Sequence, residues 1–220
     1  MPDISKINNV AVADISKLDS ITFADGQKVN NQSVSLVSDA HTLIATATAS
    51  ASATLSFTSG IDSTYDAYEF RFDNIQPVAV GSEDNFGFQV NAVGQTGFNE
   101  VMTTTAFEAY HNEADTAAVL VYDAAEDQAQ GTAYQVLGGQ VGADSDQSLA
   151  GVLTLYAPSS TTYVKHFTSN VNIAHQADYQ THNLRAGYIN TTSAIDEISF
   201  KFASGNIDAG VIKMYGIATS

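Results

Sequence analysis

The chain has 220 residues, with 8 Lys and Arg against 24 Asp and Glu, for a formal net charge of −16. That length suits one large β domain with a small appendage, and so one-sided a surface repels nucleic-acid phosphates and anionic lipid. There is no Cys, which excludes disulfides and thiolate chemistry and leaves stability to packing or assembly.

Met1-Pro2-Asp3 is not followed by a cationic region and an apolar run, so no secretory signal is expected. No stretch of about 18 apolar residues predicts a membrane span. The chain then repeats. Residues 4–14 (ISKINNVAVAD) recur as 15–25 (ISKLDSITFAD) and, in decayed form, as 26–36 (GQKVNNQSVSL). Lys6, Lys17 and Lys28 fall in register, as do Ile7, Leu18 and Val29. Self-similarity at a fixed period means one small supersecondary unit used several times. An eleven-residue helical repeat exists, but Asn8-Asn9 and Asp19-Ser20 favour turns over helix. Two short strands joined at those pairs fit better. One such unit cannot bury its apolar side alone, and three chains side by side would supply partners. Residues 1–37 are therefore expected to form an intertwined trimeric β peg. Its docking and trimerisation residues would be Ile4, Ile7, Val10, Val12, Ile15, Leu18, Ile21 and Phe23. The alternative is a flexible β-rich arm that happens to repeat.

Residues 38–220 read as a second domain. Residues 42–57 (TLIATATASASATLSF) alternate strictly, with Leu43, Ala45, Ala47, Ala49, Ala51, Ala53, Leu55 and Phe57 on one face and Ile44 as the exception on the other. The period of two predicts β structure, bent or split because it is long for one strand. After a turn at 59–64, residues 65–74 place Tyr68, Phe70 and Phe72 on one face and Glu69, Arg71 and Asp73 on the other, a half-buried antiparallel strand. A loop at 76–83 precedes a strand at 85–93. Residues 117–122 (AAVLVY) form a more continuous apolar run, which predicts a strand covered on both faces. An acidic loop at 123–131, a short strand at 134–137 and a Gly-rich loop at 138–148 follow. Strands are expected at 150–156, 163–172, 186–189, 195–203 and 210–217, with an irregular His- and Gln-rich loop at 174–183. Many short strands between turns, with no helix signal, give an all-β fold: an antiparallel β-sandwich of jelly-roll type with a short N-terminal β-repeat arm.

The chemistry-bearing residues are sparse. His41, His111, His166, His175 and His182 form no metal-ligand spacing, and no metal or other cofactor is expected. Asp144, Asp146 and their neighbours offer closely spaced oxygens but lack the full calcium-loop pattern. Glu108, His111 and Glu113 could be read as acid and base, yet no nucleophile motif accompanies them, so the chain is not expected to be an enzyme. Tyr110, Tyr134, Tyr163 and Tyr179 lie in or near predicted loops, where aromatic rings stack on sugars or proteins. His175, Tyr179 and His182, with Gln176 and Gln180, make the candidate ligand loop.

Residues 204–217 (SGNIDAGVIKMYGI) resemble the G-N-x-x-x-G-x-I-x-x-Y-G-I ending of small structural proteins of tailed bacteriophages. Residues 65–75, ending Phe72-Asp73-Asn74-Ile75, resemble their second-strand signature, and residues 7–17 are similar to N-terminal repeats of phage fibre-like proteins. The resemblance covers about a quarter of the chain. It implies a trimeric β-sandwich component on the virion surface, in capsid decoration or in a fibre, without enzymatic activity. Expected partners are two further copies, other capsid or tail proteins, and a host-surface glycan as a candidate, with neither nucleic acid nor membrane insertion. The alternatives are a tail-fibre receptor-binding protein and a stand-alone carbohydrate-binding module.

Overall fold

The computed structural model describes residues 6–7, 10–11, 28–29, 32–33, 41–78 and 85–218. It divides into two compact units, Met1–Ala40 and His41–Ser220. Within the first, β1 (Lys6–Ile7) pairs antiparallel with β2 (Val10–Ala11), Ile7 opposite Val10. Strand β3 (Lys28–Val29) pairs with β4 (Gln32–Ser33) in the same register, Val29 opposite Gln32. The second hairpin thus reproduces the first two eleven-residue periods further on, each centred on an Asn-Asn pair in the sequence. The middle copy lies outside the described residues.

The second unit is a β-sandwich, and no helix occurs among the described residues. In chain order its strands are β5 (Thr42–Thr48), β6 (Leu55–Phe57), β7 (Ala67–Pro77), β8 (Phe86–Ala92), β9 (Met102–Asn112), β10 (Ala118–Tyr122), β11 (Ala129–Gly131), β12 (Gln135–Gly138), β13 (Leu149–Tyr156), β14 (Lys165–His175), β15 (Tyr179–Ile189), β16 (Ile195–Phe202) and β17 (Ile207–Ile217). The large sheet runs β10-β9-β15-β14-β13-β7-β17-β5, with β11 also on β9; the small sheet runs β12-β8-β16-β6. Every pairing is antiparallel. Two segments, β9–β11 and the β14–β15 hairpin, both add to the same side of the large sheet. Without them, the strands form two four-stranded layers, β5-β17-β7-β13 and β6-β16-β8-β12.

Phenylalanine rings join the layers. Phe200 on β16 lies 5.5 Å from Phe70 and 5.3 Å from Phe72, both on β7, and also meets Phe57, Phe86 and Phe88. Phe88 meets Phe167 on β14 at 4.9 Å. All of these rings are buried, as alternate residues of half-covered strands should be. Strand β8 is buried on both faces. Its outward Gln89 donates to the carbonyls of Glu100, Thr132 and Ala133, so loops roof the small sheet there.

As its length predicts, the run 42–57 splits: β5 stays in the large sheet and β6 crosses to the small one, with Ala51 at φ 49° between them. Four expectations need correction. A bulge opposite Met214 and Tyr215 shifts the register, so Leu43 is 53% exposed while Ile44 and Ala45 pack against the core. The apolar run around β10 is an edge strand with all five residues exposed, Leu120 at 76%; its apolar character reflects no cover on either face. The irregular loop at 174–183 is instead the tip of a long hairpin, in which Asp178 at φ 61° closes a three-residue turn and its N–H donates to the His175 carbonyl. Strand β9 lies where no strand was expected. The predicted 76–83 loop falls partly outside the described residues.

Candidate binding site

The two insertions carry the large sheet past the end of the small one. The inward face therefore changes character along one register row, from Phe72 and Val171 in the core to Asn183 and Glu108 towards the β10 edge. The next row runs from Ile173 through Thr181 to Tyr110, and the next from His175 through Tyr179 to Asn112. Asn183 is fully buried, its amide oxygen accepting from Arg185, while Glu108, Tyr110 and Tyr179 stay half-buried.

Arg185 anchors this region. Its side chain is fully buried and donates to the Phe107 carbonyl at 2.7 Å and to Asn183 Oδ1 at 2.9 Å, and it pairs with the Glu126 carboxylate. Glu126 is delivered by the segment that folds back over β9. There the Gln128 N–H donates to Thr104 Oγ1, Thr104 Oγ1 donates to Gln135 Oε1, and Gln135 Nε2 donates to the Glu126 carbonyl. Burial pushes the Glu126 carboxyl above its ordinary value, the Arg185 charge partly offsetting it. Burial likewise raises Glu108, again opposed by Arg185.

Glu108, Tyr110, Thr181, Tyr179 and His175 line a cleft of about 130 Å³. The rings of Tyr110 and Tyr179 stand nearly perpendicular with centroids 5.5 Å apart, and His175 meets Tyr179 at 5.5 Å. His175 Nδ1 accepts the Ala177 N–H at 3.0 Å, so the neutral ring carries its proton on Nε2. Burial lowers the pKa of this histidine and favours that neutral form. Two further clefts, of about 290 and 360 Å³, adjoin and share Tyr179.

Of the candidate ligand residues, His175 and Tyr179 meet; His182 does not join them. It lies on the opposite face of β15, with Nε2 2.6 Å from Asn170 Oδ1, because three residues along a strand reverse the facing. The acid–base trio also separates: Glu108 faces inward, His111 pairs with Asp115 at 3.1 Å, and Glu113 sits in the following turn. Asp144 bonds within its own loop through Gln147, and its carbonyl accepts from Gln76 Nε2. Among the described residues no group of three His, Asp or Glu is placed to hold a metal. Tyr134 lies under the Lys201 ammonium, and Tyr163 is exposed in a loop. Ile7 and Val10 are register partners in the β1–β2 pairing, while Ile4, Val12, Ile15, Leu18, Ile21 and Phe23 lie outside the described residues. The sequence reading singled out neither Thr181, which lines the cleft, nor the buried Arg185, nor the inward placement of Glu108. The alternation Met102, Thr104, Ala106, Glu108, Tyr110 was the available signal.

Compared with known proteins, the chain matches no family model, no curated protein and no solved structure.

Proposed function

We propose that this chain is a structural protein of a tailed-phage particle, a homotrimer docked through its N-terminal repeat with the β-sandwich displayed outward. Its work is assembly and surface display on the virion, in capsid decoration or in a fibre, through contacts with its own copies and with other capsid or tail proteins. The observation that carries this reading is the pair of N-terminal hairpins in identical register, two sequence periods apart, within a unit separate from the sandwich. Units this small bury too little apolar surface alone and gain it from neighbouring chains. The sandwich adds support. Removing the two insertions leaves sheets in the order β5-β17-β7-β13 and β6-β16-β8-β12, which we read as the paired Greek keys of a jelly roll.

Light scattering on the full chain and on residues 41–220 tests the reading. Three chain masses for the full protein, falling to one on truncation, are the expected result. A monomer in both cases would overturn self-trimerisation. A stand-alone carbohydrate-binding module is the second reading, favoured by the tyrosine-lined cleft.

A further inference from the structure

The cleft between the β9 and β14–β15 tips has the chemistry of a ligand site. Its polar groups have little to do inside the protein. Among the described residues neither the Tyr110 nor the Tyr179 hydroxyl makes a hydrogen bond, nor does the Glu108 carboxyl, although Glu108 is half-buried and senses the Arg185 charge. All three are open to solvent on one side, so a ligand can reach them. They converge on one space, with the His175 Nε2–H and the Thr181 hydroxyl beside them.

We propose that this cleft binds a neutral, hydroxyl-rich sugar. Two tyrosine rings at right angles give a sugar ring apolar surface against which its C–H faces pack. Around them stand a carboxyl, an imidazole donor and three hydroxyls, the mixed donors and acceptors that a ring of hydroxyls needs. The cleft holds about one sugar ring, and the two adjoining clefts that share Tyr179 give room for further units of a chain. The charge selects against acidic sugars. Glu108, Glu113, Asp144, Asp146 and Asp178 line the three clefts, and among the described residues neither Lys nor Arg does; Arg185 is already engaged by Glu126. The proposal stands apart from the trimer and the virion: a monomer could carry this site.

Saturation-transfer NMR on the full chain tests it, using glucose, galactose, N-acetylglucosamine and lactose as neutral probes and sialyllactose as the acidic one. At least one neutral sugar should take up saturation from the protein, and sialyllactose should bind no better than lactose. Glu108→Gln, which keeps the shape of the side chain, should weaken binding about tenfold, as loss of a charged hydrogen-bond partner does. Tyr179→Ala should abolish binding, and Tyr163→Ala, an exposed ring outside the cleft, should leave it unchanged. Saturation of none of the four neutral sugars overturns the proposal. So does stronger binding of sialyllactose than of lactose, or undiminished binding in Glu108→Gln. The last reading decides the matter even if Tyr179→Ala fails to fold.

Discussion

At the residue scale, the Arg185 guanidinium ties the two insertions to each other. It is buried, bonded to β9 through the Phe107 carbonyl and paired with Glu126 from the segment folded over that strand. Removing one partner of a buried pair strands the other charge away from water. Glu126→Ala is therefore expected to cost about 3–5 kcal/mol of folding stability, measured by urea denaturation. His175 gives a pH dependence. Burial holds its pKa below the ordinary value, so the fold favours the neutral ring. The stability it contributes is present above the ordinary histidine pKa and is lost as pH falls through the depressed one. Protonation would also remove the acceptor at Nδ1 that the Ala177 N–H uses. Denaturation curves from neutral to mildly acidic pH should therefore fall more steeply for the native chain than for His175→Gln.

At the scale of elements, bulges and edges set what each strand tolerates. The pairing of β17 with β7 shifts register twice, and Gly210 sits at the second shift, opposite Asn74 and Ile75, with φ 118°. A Cβ there would lie 2.6 Å from the Asn74 carbonyl oxygen, in a backbone conformation that L side chains rarely adopt. Gly210→Ala should cost about 2–4 kcal/mol from strain and overpacking, read as a lower denaturation midpoint. Strand β10 behaves oppositely. Leu120 is 76% exposed on an edge with no further strand among the described residues. Leu120→Lys should change stability by no more than about 0.5 kcal/mol. Phe200→Ala, in the centre of the aromatic core, should cost about 3–5 kcal/mol by the same measurement.

At the scale of the whole molecule, charge opposes compactness. A net charge of −16 on 220 residues repels itself in the folded state, and salt screens that repulsion. The thermal midpoint should rise between low and physiological sodium chloride, a trend that scanning calorimetry reads directly. A flat or falling midpoint would mean that local ion pairs such as Lys213–Asp73 outweigh the overall charge.

Much of this architecture was legible because the side-chain period of a half-covered strand is two. Tyr68, Phe70 and Phe72, and Ile198, Phe200 and Phe202, announce their strands and their buried faces. The N-terminal period of eleven was equally visible, and in the sequence an Asn-Asn pair separates each two paired strands described there. Other features depend on partners distant in the chain. Whether AVLVY is covered or exposed is a matter of its place in the sheet, and local sequence carries no information about the neighbour across an edge. Strand β9 escaped notice because its inward Glu108 and Tyr110 face an overhang that no second sheet covers. The candidate cleft divides in the same way. His175 and Tyr179 flank one short turn and could be paired from sequence, whereas Glu108 and Tyr110 reach them only through the pairing of β9 with β15. Sequence alone determined the β class, the central strands of the core and the repeat, because local periodicity encodes them. The tertiary structure alone decided the sheet order, the exposed edge and the cleft, because register between strands tens of residues apart is set by packing across the whole sheet.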